Sequence, residues 1–136
     1  MPADHSWDEE SRILRIRLRG HVTNEDILGD ALKIYGDSRI RAPIREIIDL
    51  REVESTSLTI NDLRNLVQMN VSHAERFEER YQALVAPTDE LRSMARSFAT
   101  FSQMHLWPHR TRVFETLCDA EEWLSSVMSE EEKPAK

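Results

Sequence analysis

His105 and His109 stand four residues apart, the spacing at which one helix face offers two imidazoles to a metal ion. Pro108 lies between them and breaks the helix this geometry requires, and no acidic motif accompanies the pair. The segment therefore reads as a loop anchored by Trp107, and no metal is expected. Cys118 is the single cysteine, so it forms no intrachain disulfide. It precedes an expected helix start, a setting that can activate a thiol, but catalysis would also need a histidine base. A small, partly buried core residue is the simpler reading. Glu78-Glu79 and Glu121-Glu122 are carboxylate pairs on charged helix faces and need only water. The three glycines, at 20, 29 and 36, are too scattered to cradle a phosphate, and neither a nucleophile elbow nor a dinucleotide fingerprint occurs. These residues point away from an enzyme and imply no cofactor.

The remaining candidates are binding or regulatory. Asp49 ends an internal strand, and open α/β sheets take ligands outside the carboxyl ends of their strands. The segments expected to gather there are Gly20–Thr23, Leu50–Thr59 and Ala86–Asp89, which bring Ser55, Ser57, Thr59 and Thr88 with them. Helix N-termini at that edge could hold an anion. Asp26, Asp62, Asp89 and Glu90 already occupy those first turns, where they satisfy the helix dipoles and repel negative charge. Phe98, Phe101, Met104, Leu106 and Trp107 crowd one helix end. Such side chains fill a core or line a pocket for an apolar ligand; Phe98, Phe101 and Trp107 are the candidates for that lining.

These residues must be positioned by regular elements. Ile13–Gly20 alternates, with Leu14, Ile16 and Leu18 on one face and Arg15, Arg17 and Arg19 on the other, as in a half-buried strand. The arginine row reads as a solvated face pairing with carboxylates. A short strand over His5–Asp8 precedes it. Thr23 with Asp26 marks a helix start, followed by Ile27, Leu28, Ala31, Leu32 and Tyr35 at helical spacing and closed by Gly36. Glu46–Leu50 is apolar on both faces, so it belongs in the centre of a covered sheet, and Arg51–Leu58 reads as a polar loop. Thr59 with Asp62 opens a second helix with Leu63, Leu66, Val67, Val71 and Ala74 inside, and its charged end, Glu75–Arg80, reads as solvated. Tyr81–Ala86 is a strand, Thr88–Glu90 opens a third helix, Arg112–Phe114 is a last strand, and Asp119 caps a last helix. The order β-β-α-β-α-β-α-β-α implies an α/β fold: a mixed, mostly parallel sheet of four to five strands with about four helices.

One domain over residues 1–128 is expected, with 129–136 as a disordered acidic tail. The chain carries 25 acidic and 18 basic residues, a net charge of −7. That sign repels phosphate backbones and anionic membranes, so nucleic acid is not an expected partner. No window approaches the ~18 apolar residues of a membrane span, and no basic and apolar leader opens the chain. The expected setting is cytoplasmic.

Two stretches add a family resemblance. Ile47-Ile48-Asp49-Leu50-Arg51-Glu52-Val53-Glu54 resembles the central strand and loop of STAS domains. Val113-Phe114-Glu115-Thr116-Leu117-Cys118-Asp119-Ala120-Glu121-Glu122-Trp123-Leu124 resembles the closing strand and helix of the SpoIIAA-like family, with its Phe, Ala and Trp-Leu. Gly20, Thr23 and Glu25-Asp26 are similar to that family's first turn. The resemblance covers roughly residues 10 to 127 and implies a non-enzymatic interaction or regulatory module, like the anti-sigma-factor antagonists. Its partner would be a protein or a second copy in a homodimer. In those antagonists a serine of an Asp-Ser-Ser-Gly stretch is phosphorylated; the corresponding Ser55-Thr56-Ser57-Leu58-Thr59 keeps hydroxyls but not that pattern. The alternative implied by the related CRAL-TRIO modules is a small carrier holding a lipid or other apolar molecule in a pocket.

Overall fold

The computed structural model describes residues 2–73, 75, 79–105 and 110–132. The elements run β1 (Ala3–Asp8), β2 (Ile13–Val22), α1 (Asn24–Tyr35), β3 (Ile44–Thr56), α2 (Ile60–Ser72), β4 (Arg80–Val85), α3 (Asp89–His105), β5 (Arg110–Phe114) and α4 (Leu117–Glu132). The strands lie in the order β1-β2-β3-β4-β5, with β1 antiparallel to β2 and every other pair parallel. The expected α/β fold is thus the observed one.

Parallel neighbours need crossovers, and α1, α2 and α3 supply them. Crossovers that advance in one direction with one hand fall on one face of the sheet. Leu18, Val22, Leu50 and Leu84 accordingly share a core with Leu63 and Val67 of α2 and Leu91, Ala95 and Phe98 of α3, with Ile27 of α1 packed against it. The far end of this face holds Leu14, Ile34, Tyr35, Ile40 and Ile44. α4 connects nothing and covers the other face, setting Ala120, Leu124 and Val127 on Ile47, Ala83 and Val85. It leaves the arginine row of β2 in the open, where Arg15 meets Glu121 at 3.6 Å and Arg19 meets Asp4 at 2.5 Å. Among the described residues, no helix is long and apolar enough to cross a membrane.

Five local expectations are corrected. Arg51–Thr56 is strand rather than loop: β3 runs on beside β2 to the pair Val22 and Thr56. Two register shifts allow this, one of them beside Gly20, whose φ of +64° suits a residue without a side chain. α1 is rotated from its expected phase. Leu32 is 60% exposed, and Asp30, Ile34 and Tyr35 are the buried positions. α4 begins at Leu117, because Thr116 rather than Asp119 is the cap: its Oγ1 accepts from the Asp119 N–H at 3.2 Å. Cys118 therefore sits in the first turn and is exposed, not core. α4 also continues past Ser129 to Glu132, while 133–136, like Ala74, lie outside the described residues.

Candidate functional site

A cavity of about 90 Å3 lies between the helix-covered face of the sheet and the three crossover helices. Alternation along the strands places Ile16, Leu18, Ile48, Leu50 and Leu84 on its floor. Its roof is helical: Ile27 and Ala31 from α1, Leu63 and Leu66 from α2, and Met94, Ala95 and Phe98 from α3. Almost the whole wall is hydrocarbon.

One end of the cavity is polar. Glu46 is directly paired in register with Gln82, and Ile44 with Arg80, on adjacent parallel strands. Because residues two apart share a face, Glu46, Arg80 and Gln82 all project to the interior, where they are 1%, 6% and 1% exposed. Arg80 Nε donates to Glu46 Oε2 at 2.7 Å, and Gln82 Nε2 donates to the same oxygen at 3.0 Å. Thr111 Oγ1 donates to Gln82 Oε1 at 2.8 Å. Arg80 Nη1 donates to the Tyr35 hydroxyl at 2.9 Å, and that hydroxyl donates to Asn70 Oδ1. His73 stacks on the Tyr35 ring with centroids 3.9 Å apart. Burial works to lower the Arg80 pKa, but the charge of Glu46 and the bonds from Glu46 and Tyr35 carry it above its ordinary value, so the guanidinium is charged. Burial also raises the Tyr35 phenol, against the opposing charge of Arg80, so it is a neutral donor. These groups spend their bonding capacity on one another, which is the condition for burying them.

Asp30, 7% exposed, also lines the cavity, from the sheet-facing side of α1. Its Oδ1 lies 2.7 Å from His5 Nδ1 on β1, while its Oδ2 is buried with no hydrogen-bond partner.

The residues singled out from sequence are dispersed. Asp49 lies on the α4 side of the sheet and takes a bidentate grip from Arg51, with Nε and Nη2 at 3.0 and 2.9 Å. Burial would raise its carboxyl, but the side-chain and backbone bonds from Arg51 hold it below its ordinary value. The Ser55 hydroxyl is 2.7 Å from His21 Nδ1 across the β2–β3 ribbon. Ser57 is exposed between strand and helix. Thr59 caps α2 in a reciprocal box with Asp62, and Thr88 Oγ1 accepts from the Leu91 N–H at the start of α3. None of these five lines the cavity. Phe98 does; Phe101 packs against the same core from outside the cavity, with the Arg64 guanidinium 5.2 Å from its ring centre. Trp107, like Leu106 and His109, lies outside the described residues.

The polar end was not anticipated. Arg80, read as the tail of a solvated run, is the buried first residue of β4. Two signals could have found it: a Glu that opens, and a Gln that lies within, mostly apolar strands, Glu46–Leu50 and Tyr81–Ala86. Charged residues are rarely buried without a partner, and the partner lies 34 residues away.

The family model for SpoIIAA-like proteins matches residues 13–125, and the chain belongs to that family. No curated protein matches the sequence. Among solved structures, the chain resembles an uncharacterised protein with a SpoIIAA-like fold from Shewanella loihica, at 21% identity and a TM-score of 0.58 over 90% of this chain and 91% of the other. That likeness concerns the fold.

Proposed function

We propose that this SpoIIAA-like module is a non-enzymatic binding domain that takes a small, mostly apolar molecule between its sheet and its crossover helices. The observation that carries the reading is the hydrocarbon-walled cavity. Protein interiors are packed to the density of organic crystals and leave few voids larger than a water. A closed void of about 90 Å3 left empty would cost about 2 kcal/mol at ~24 cal/mol per Å3. That is a sizeable share of a stability of roughly 5–15 kcal/mol, and an apolar occupant would recover it. The space is smaller than the engineered apolar cavity of about 150 Å3 that takes benzene, so it suits a short alkyl chain, and a ring enters with repacking of the lining side chains. A long-chain lipid would require α1 or α3 to move.

Benzene titrated into methyl-labelled protein tests this reading. It should shift the methyl resonances of Leu50, Leu63 and Ala95 saturably and raise the Tm. Ala31→Leu, which grows a side chain into the space, should abolish both effects while leaving the fold intact. Unmoved methyls would overturn the proposal. Native mass spectrometry of freshly purified protein would show any occupant retained from the cell.

A second reading, a protein-interaction module, draws on the outer face of the sheet. α4 packs on β3, β4 and β5 and leaves the outer face of β2 beyond Arg15 uncovered, and β2 and β3 run on together beyond β4 as an exposed ribbon bearing Arg19, His21, Glu52 and Ser55. Self-association or a partner at this ribbon would be weakened by Arg19→Glu, read by sedimentation or pull-down; indifference to that change would count against it.

A further inference from the structure

We infer that the cavity selects molecules whose head group donates a hydrogen bond, and that Asp30 Oδ2 is the acceptor that reads it. The inference rests on the binding-cavity reading and deepens it. Asp30 occupies the α1 position that faces the sheet, in the stripe Ile27, Asp30, Ile34, where packing alone would favour an aliphatic residue. Aspartate is among the poorer residues for a helix interior. The carboxylate is held by one partner only: Oδ1 faces His5 Nδ1 at 2.7 Å. Oδ2 is buried and unpartnered on a residue that lines the cavity. Buried acceptors are normally satisfied, and a carboxylate oxygen is costly to leave without a donor.

The other polar groups at the cavity do not offer the same opportunity. Glu46, Arg80, Gln82, Tyr35 and Asn70 already bond one another in a chain. Among the described residues no cluster of three or more His, Cys, Asp or Glu side chains could hold a metal ion, so a cation bound by several carboxylates does not fit. What fits is a short apolar body ending in a hydroxyl or an amine. The His5 contact fixes the carboxylate, so that it meets the ligand without first having to be ordered.

The test uses isomers. 1-Pentanol and butyl methyl ether contain the same atoms, but only the alcohol donates; pentylamine adds a cationic donor of the same reach. Binding is followed by the cavity methyl resonances, with benzene as a purely apolar reference. The alcohol or the amine should bind about tenfold or more tightly than the ether, the scale of a hydrogen bond to a charged group. Whichever of the two binds more tightly identifies the head as neutral or cationic. Asp30→Asn keeps an oxygen for His5 and turns an N–H2 donor toward the cavity, so it should erase or reverse the preference, with the methyl resonances of the probe-free variant showing that the fold persists. Equal binding of alcohol, amine and ether to the unaltered protein would overturn the role of Asp30 and leave the cavity reading standing. Failure of all four probes, benzene included, would remove the cavity reading and this inference with it.

Discussion

At the carboxyl ends of the parallel strands, polar side chains mostly bond close neighbours in sequence. Thr23 and Asp26 close one capping box and Thr59 and Asp62 another, and Arg51 grips Asp49 two residues before it. At the opposite end, Glu46, Arg80 and Gln82 meet from strands more than thirty residues apart, and Tyr35 joins Arg80 across 45. The first set faces water and can exchange a lost partner for a solvent molecule. The second is sealed between sheet and helices, where a lost partner leaves a charge with nothing to replace it. The contrast teaches where function can be carried cheaply: the exposed hydroxyls end and join elements, while the interior is where a polar group left over becomes a recognition group.

Mutations can break this contrast, and the largest effect should come from the sealed end. Arg80→Met leaves the Glu46 carboxylate buried without its countercharge, held only by the Gln82 amide, and should cost about 3–5 kcal/mol in urea unfolding. The double variant Glu46→Leu with Arg80→Met should recover most of that loss. If it instead summed the two single losses, the cost would be packing rather than charge. Gly20→Ala comes next. An added Cβ would meet nothing nearer than 3.9 Å, so its cost of roughly 1–2 kcal/mol is the left-handed backbone alone.

At the exposed end, Thr59→Ala should cost about 1 kcal/mol, the usual worth of a helix cap. A loss rivalling that of Arg80→Met would erase the distinction between the two ends. The smallest effect belongs to Asp49→Asn, about 0.5 kcal/mol at neutral pH, because Arg51 is half exposed and the pair is screened. Its pH dependence has a definite sign. The Asp49 carboxyl is held below its ordinary value of 3.8 in the folded chain, so its contribution is full above that value. It is lost as the pH falls through the folded value. The stability gap between the unaltered protein and Asp49→Asn should therefore close on acidification below about pH 3.8; a gap that widens there would contradict the assignment.

The order of elements was legible because periodicity reports which face of an element is buried, whatever it is buried against. The alternation Leu14, Ile16, Leu18 places β2, and the caps at Thr23 and Thr59 mark the starts of α1 and α2. Legibility failed where a neighbour decides. Leu32 and Asp30 both suit an amphipathic helix, and the packing of α1 on β1 and β2 turned Asp30 inward beside His5. Arg51–Thr56 is polar enough for a loop and became strand because β2 kept pairing with it past Gly20. Of the candidate lining, Phe98 was legible as a large apolar residue on the inner side of α3, whereas Asp30 was not.

Sequence alone therefore determined the α/β class, the nearly parallel sheet and the family, because hydrophobic spacing, capping pairs and the closing-strand motif are each written within a few residues. Only the tertiary structure decided that Glu46 and Arg80 form one buried pair, that a cavity remains above Ile48 and Leu84, and that one oxygen of Asp30 is left over beside it. Those features depend on strand register and helix rotation, which bring together residues that no local pattern relates.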